Sequence, residues 1–154
     1  MEDLFAGVDV STQGQKIVII DLEKRSVIYS DSINYDIDLP KYNTLNGVLK
    51  DTDFGVSESN PNMWIDSLHL LFKRLKTSSD IIQSIKAISI AGQQHGLVAI
   101  DKDGNLAKST SKLWNDFSTA EECEILTKEI GGSEQMITEV ANSQRTGYTA
   151  SKIF

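Results

Sequence analysis

The chain opens on closely spaced apolar runs and turns helical only later. Leu4–Val10 is an apolar run that closes on Asp9-Val10-Ser11-Thr12, and residues 16–22 (KIVIIDL) are dense in β-branched side chains. Residues 26–35 alternate weakly between apolar and polar. With turns at Gly14 and at Glu23-Lys24, these three segments predict an antiparallel meander. Residues 40–61 are polar, rich in Asn, Asp and Gly, and lack a period. They read as a long loop, which in a compact domain is usually functional or mobile. Residues 64–75 then place apolar side chains at helical spacing behind the start signal Asn60-Pro61, so a helix is expected over 63–76.

Further along, Ile85–Ala91 reads as a strand, its apolar stretch 85–90 being of the kind that fills a buried position. A short strand follows at 97–100, closed by the turn Asp101-Lys102-Asp103-Gly104, and another at 113–114. The capping-box pattern Ser118-Thr119-Ala120-Glu121 opens a helix to about Ile130, where Gly131-Gly132 stops it. Ser133 caps a shorter helix to about Ala141, and Ile153-Phe154 fall within the start of one more. A three-strand meander, a helix and then another strand predict an α/β layer around a mixed sheet. Such sheets bind ligands beyond the carboxyl ends of their strands. Two polar clusters fall there: Asp9 to Lys16, and Gly92 to Gly96.

Composition narrows the partners. The 154 residues suit one domain, with 40% hydrophobic and 24% charged residues in the ordinary globular range. Acidic residues outnumber basic ones 22 to 15, for a net charge of -7, which argues against nucleic acid or an anionic membrane as the main partner. A local basic pocket can still hold phosphate. The single cysteine, Cys123, sits among acidic residues that disfavour a thiolate, and reads as structural. The N-terminus carries acidic residues where a signal peptide needs basic ones, and no run is long enough to span a membrane, so a cytoplasmic protein is expected.

In the first cluster, an Asp at a strand end can hold hydrated Mg²⁺ against a polyphosphate, while Ser11, Thr12 and Gln13 offer N–H groups and hydroxyls to its oxygens. Lys16 adds a positive charge. An ordinary hairpin turn beginning with Asp accounts for the same residues, since no Walker or G-x-G-x-x-G pattern is present. In the second, Gln93, Gln94 and His95 lie between glycines that let a ligand approach the backbone. Amides and an imidazole there supply directional donors and acceptors for the hydroxyls of a polyol or sugar. A lone histidine is more often structural, and His69, inside the helical run, is read that way.

Taken in order, the motifs resemble the N-terminal domain of the FGGY family of carbohydrate kinases, and within it the kinases of D-xylulose. The resemblance rests on Gly7-Val8-Asp9-Val10-Ser11-Thr12-Gln13, Gly47-Val48-Leu49-Lys50, Met63-Trp64 and Ala91-Gly92-Gln93-Gln94-His95-Gly96. It continues through Leu113-Trp114-Asn115-Asp116, Ser118-Thr119-Ala120-Glu121-Glu122-Cys123 and Thr146-Gly147-Tyr148-Thr149-Ala150-Ser151-Lys152. Each motif is weak alone; the ordered set is specific and covers nearly the whole chain.

The resemblance implies an α/β fold of the actin-like, ribonuclease H-like ATPase type, its meander followed by β/α units. It implies transfer of the ATP γ-phosphoryl group to a sugar hydroxyl, with ATP and Mg²⁺ as cofactors. Asp9 would act near the phosphates and hold Mg²⁺ through water, with Ser11, Thr12, Gln13 and Lys16 in the phosphate loop. Gln94, His95, Gly96, Trp114, Asn115, Asp116 and Arg145 would border the sugar. Ser11 stands where the family usually carries glycine, Phe117-Ser118 where many relatives carry Gly-Arg, and Gln144 where an arginine is expected, with Arg145 beside it. Residues 1–154 would form the N-terminal sugar-binding and phosphate-loop domain, with the catalytic Asp and the adenosine-binding half beyond Phe154, so the chain alone is expected to be inactive. The partners implied are a pentulose and ATP, without nucleic acid or membrane, and a homodimer is left open. A non-catalytic sugar-binding module, a family kinase for another sugar or polyol, and another ATPase of the same fold are the alternatives.

Overall fold

The computed structural model describes residues 3–154. They form two compact units, one holding the described residues up to Lys50 with Asn60–Gln93, the other Asp51–Ser59 with Gln94–Phe154.

The first unit is built on a four-stranded mixed sheet. β1 (Leu4–Val10), β2 (Gly14–Asp21) and β3 (Ser26–Asn34) make the expected antiparallel meander. A single long helix, α1 (Pro61–Ser78), precedes β4 (Ile85–Ala91), which joins parallel to β1 and gives the order β3-β2-β1-β4. Alternation sets the faces. Leu4, Ala6 and Val8 of β1 and Ile17 and Ile19 of β2 are buried, which turns Gly7, Asp9, Lys16 and Val18 to the opposite side.

Helix α1 begins where the sequence signals it. Asn60 Oδ1 accepts the Asn62 N–H at 2.9 Å, and Pro61 takes the first position, where an N–H would be unpaired anyway. Its buried residues Met63, Ser67, Leu71 and Leu75 recur every four positions and form one stripe against β2 and β3. Each large apolar side chain in it contributes roughly 1.5–3 kcal/mol by burial. Ser67 in that stripe donates to Gln15 Oε1, which satisfies an amide buried in the core.

Two expectations are corrected in this unit. Strand β4 forms where the apolar run placed it, but it is an edge strand and not a buried one. Ile88 is 49% and Ile90 57% exposed, because α1 packs on β2 and β3 and β4 has one strand neighbour. Residues 40–50 are also not structureless: a 3-10 turn at Pro40–Tyr42 leads into a small ladder of Thr44–Leu45 with Val48–Leu49. Asp36 organises it, accepting from Thr44 Oγ1 (2.7 Å), Asn46 N–H (2.6 Å) and Gly47 N–H (3.1 Å). Burial would raise the Asp36 carboxyl, yet these bonds and the charge of Lys50 hold it below its ordinary value. Side-chain organisation of this kind leaves no hydrophobic period to read.

Gly47 has φ 78°, and a Cβ there would collide with the Thr12 carbonyl oxygen. The hairpin is thus pressed against the 11–13 loop at a point that only glycine fits. Gly47→Ala is expected to destabilise the unit by about 1–3 kcal/mol, seen as a lower urea midpoint. A midpoint equal to wild type would contradict that close approach.

In the second unit, Glu58–Ser59 pairs antiparallel with Ser111–Lys112, and α2 (Ala120–Glu129) and α3 (Ser133–Val140) follow, with a last helical turn at Ala150–Ile153. The strand expected at 113–114 lies two residues earlier, because the chain is already turning there and the Asp116 N–H donates to Leu113 O at 3.1 Å. Residues 97–100 form no ladder. They contribute one bridge, Ile100 to Leu106, around a turn in which the Asp101 carboxylate accepts the N–H groups of Asp103 and Asn105. The capping box at Ser118 does not form, since Ser118 Oγ donates to Asp116 Oδ1 at 2.6 Å and α2 starts at Ala120. Gly132, not Ser133, is the N-cap of α3. Cys123 is buried in α2, and no described helix is long and apolar enough to cross a membrane.

Candidate functional site

Asp9 stands exposed near the carboxyl end of β1, in register with Lys16 on β2 and Ala91 on β4. With Gly7, Val18 and Ser89 these residues line an open cavity of about 350 Å³. Ser11 Oγ donates to Asp9 Oδ2 at 2.6 Å, and the Ser11 N–H closes the turn onto Gly14 O at 2.9 Å. The loop is braced from behind. The Tyr35 N–H donates to Gln13 O (3.1 Å) and the Tyr35 hydroxyl to Ser11 O (3.3 Å). Burial pushes the Tyr35 phenol above its ordinary pKa, so it remains a neutral donor.

Gln93 belongs to this loop as well. Its Nε2 donates to Ser11 O at 3.3 Å, and its Oε1 accepts from Thr12 Oγ1 at 3.2 Å. The sequence groups Gln93 with its neighbours at 94 and 95; the structure turns it back on Ser11 and Thr12. Among the described residues no group of three or more His, Cys, Asp or Glu side chains gathers to hold a metal. A lone exposed carboxylate beside hydroxyls and an ammonium suits a cation that keeps its waters and shares ligands with phosphates, which is the habit of Mg²⁺.

The rest of the second cluster, Gln94 to Gly96, belongs to the second unit. His95 is exposed and has φ 57°, the left-handed region, while the flanking glycines do not. Its ring stacks on Tyr148, centroids 4.6 Å apart and planes at 27°, and its Nδ1 lies 3.5 Å from Thr149 Oγ1. His95, Tyr148, Thr149, Gln144, Asn142 and Met136 line a cavity of about 380 Å³. Aromatic faces with amides and hydroxyls between them are the equipment of a polyol site. Gln94 and Gly96 are exposed, and the space a Cβ would fill at Gly96 is open.

The remaining expected sugar residues separate by role. Trp114 is 53% exposed, and Asn115 Oδ1 accepts from Ser57 Oγ at 2.8 Å. Asp116 is fully buried, its carboxylate taking the Ser57 N–H (2.8 Å), the Ser118 N–H (3.1 Å) and Ser118 Oγ (2.6 Å), with Lys112 Nζ at 3.5 Å. Such a carboxylate organises a turn. Arg145 is exposed with its Nε on Ser143 Oγ at 3.1 Å, and Gln144 lines the cavity in its place. Tyr148 and Thr149 lie within the 146–152 motif, whose Gly-Tyr-Thr sequence brings a ring and a hydroxyl to His95.

Residues 4–154 match the FGGY family of carbohydrate kinases, N-terminal domain. A xylulose kinase of Schizosaccharomyces pombe is 36% identical over 97% of this chain, which spans 30% of that protein. Among solved structures, xylulose kinase from Rhodospirillum rubrum superposes with a TM-score of 0.79 at 19% identity, covering 97% of this chain and 28% of that one. Plasmodium falciparum glycerol kinase with ADP gives 0.76 at 19% identity, covering 99% of this chain and 28% of that one. These likenesses carry the actin-like fold, and the match over 4–154 carries the kinship: the chain belongs to the FGGY family of carbohydrate kinases.

Proposed function

We propose that residues 1–154 serve as the N-terminal, sugar-binding domain of an ATP-dependent kinase that converts D-xylulose to D-xylulose 5-phosphate. The observation that carries this reading is His95, its ring exposed, held face to face with Tyr148 and bordering a cavity of amides and hydroxyls. In this reading His95, Gln94 and Trp114 contact the sugar, Gln144 takes the place assigned to Arg145, and Asn115 and Asp116 shape the wall. Ser11, Thr12, Gln13 and Lys16 receive phosphate oxygens. Mg²⁺, held by Asp9 through water, would neutralise charge on the transferred group. A bond forms from the sugar hydroxyl oxygen to the γ-phosphorus as the bridge to the β-phosphate breaks, leaving ADP. The residues named here bind and orient; they include no base for the hydroxyl proton, which is assigned beyond Phe154.

The test is steady-state kinetics of the full-length protein with D-xylulose and MgATP varied separately. His95→Ala removes a directional hydrogen bond worth about 0.5–1.5 kcal/mol and leaves a sugar hydroxyl unpaired at about 1–3 kcal/mol. Catalytic efficiency for D-xylulose should fall roughly tenfold or more, with the KM for MgATP little changed. Unaltered sugar kinetics in a well-folded His95→Ala protein would remove His95 from the sugar site. Residues 1–154 alone should give no measurable turnover, since phosphoryl transfer depends on positioning both reactants. Turnover that tracks the purified 154-residue chain and vanishes in Asp9→Ala would overturn this division of labour.

A further inference from the structure

Lys152 has no role in the function proposed above, yet it makes three of the shortest polar contacts of the second unit. Its Nζ donates to three main-chain carbonyls: His95 at 2.6 Å, Gly147 at 2.7 Å and Leu113 at 2.8 Å. An ammonium has three N–H donors and no acceptor, so these carbonyls saturate it. The three acceptors come from the three segments that carry the candidate sugar residues. His95 follows Gln94, Leu113 precedes Trp114, and Gly147 precedes Tyr148. One charged atom therefore joins segments 18 to 52 residues apart in sequence, by the differences between 95, 113 and 147.

Local geometry shows what the ammonium maintains. His95 sits in the left-handed region, which a non-glycine residue holds only where its surroundings impose it, and its own carbonyl is the closest acceptor of Lys152. Gly147 has φ 83°, and a Cβ there would collide with the Trp114 carbonyl oxygen. The 147 segment thus meets the 113–114 segment at close range, and Lys152 ties the His95 segment to both. Burial pulls the Lys152 ammonium below its ordinary pKa; the charge of Asp116 opposes that and the charge of Lys112 adds to it. A half-buried charge without a carboxylate in contact is stabilised here by carbonyl oxygens.

We propose that Lys152 is a positioning residue for the sugar, an ammonium clamp on three backbone carbonyls that fixes the His95 ring against Tyr148. It acts through His95 and does not itself touch substrate. This inference rests on the sugar-binding reading of His95, and the experiment separates the two.

The variant of choice is Lys152→Arg in the full-length protein, because it keeps the charge but presents a planar fork that cannot converge on three carbonyls at one point. Three readouts are taken: the KM values for D-xylulose and for MgATP, the melting temperature, and the NMR resonances of the His95 ring, which the face of Tyr148 displaces. The expected result is a roughly tenfold rise in the D-xylulose KM, an unchanged MgATP KM and a His95 resonance moved toward its unstacked position. Because the effect passes through His95, Lys152→Arg combined with His95→Ala should be no worse than His95→Ala alone, within about the error of a double-mutant cycle. A His95 resonance in its wild-type position in Lys152→Arg overturns the clamp, whatever the kinetics show. Additive losses in the double variant overturn action through His95. A moved resonance with wild-type D-xylulose kinetics overturns the positioning role, and His95→Ala then shows whether the sugar assignment has failed too. Lys152→Met serves as the second variant: a D-xylulose KM equal to wild type with all three bonds removed is decisive against the proposal.

Discussion

Asp9→Ala is expected to lower the turnover number for D-xylulose by about a hundredfold or more while leaving the sugar KM within about twofold, since the loss falls on charge stabilisation in the transition state. The reasoning starts from its place in the sheet. Asp9 lies on the face of β1 turned away from the core, so removing its carboxylate leaves the packing of Leu4, Ala6 and Val8 intact. The stability change should stay near that of an ordinary surface substitution, within about 0.5 kcal/mol. Ser11 Oγ loses its acceptor, but the loop keeps the bonds from Tyr35 and Gln93 to its backbone. What disappears is the negative charge beside Lys16 at the mouth of the cavity. The dependence of rate on Mg²⁺ concentration should therefore shift upward in Asp9→Ala, and Asp9→Asn should resemble it because the amide keeps the shape without the charge. A raised D-xylulose KM with an unchanged turnover number would move Asp9 out of the phosphate region and into the sugar site.

The early part of the fold was legible because local pattern and tertiary environment agree there. In β1 and β2 the β-branched residues that favour a strand also alternate into the core, and in α1 the apolar spacing coincides with an Asn-Pro start that caps it. The pattern misled where burial depends on distant neighbours. The Ile85–Ala91 run has the composition of a central strand, yet its place at the sheet edge leaves Ile88 and Ile90 exposed. It was silent where side chains organise backbone. Asp36 orders 44–47 and Asp101 orders 103–105 through carboxylate bonds that no hydropathy period registers.

The candidate site shows the same division. His95 and Asp9 could be singled out because polar residues at strand ends contradict the apolar runs before them. Gln93 could not be told from Gln94, since which of two adjacent amides reaches Ser11 and Thr12 is decided only once the backbone is fixed. Lys152 was hidden for a simpler reason: its partners are carbonyl oxygens, which every residue has, so nothing in the sequence marks which ones it meets.

Asp116→Ala should be among the most destabilising single changes in the second unit, at about 1–3 kcal/mol, because it removes a fully buried carboxylate and leaves the buried Ser57 N–H without its acceptor. Ser57, buried at 6% exposure, loses the acceptor for its N–H; the N–H and hydroxyl of Ser118 lose theirs, and Lys112 loses one of its two carboxylate neighbours. Asp116→Asn should recover only part of this, since one amide oxygen replaces two carboxylate oxygens and the amide N–H groups face donors. The pH dependence fixes the sign. Burial alone would raise the Asp116 carboxyl, but the bonds from Ser118 and Ser57 and the charge of Lys112 together hold it below its ordinary value. A group with a depressed folded pKa contributes stability that is full above its unfolded pKa and is lost as pH falls through the folded one. The stability gap between wild type and Asp116→Ala should therefore be constant near neutrality and narrow below about pH 4, where the unfolded carboxyl begins to bind its proton. Asp101 of the same unit is also held low, and its contribution cancels in that difference because both proteins carry it, whereas Glu58 shares Lys112 with Asp116 and its contribution changes with the substitution. Urea unfolding at a series of pH values, with amide exchange at Ser57 and Ser118 as the local readout, measures it. A gap that stays the same from pH 7 to pH 3 would mean that Asp116 stabilises the turn by packing, with its charge contributing nothing.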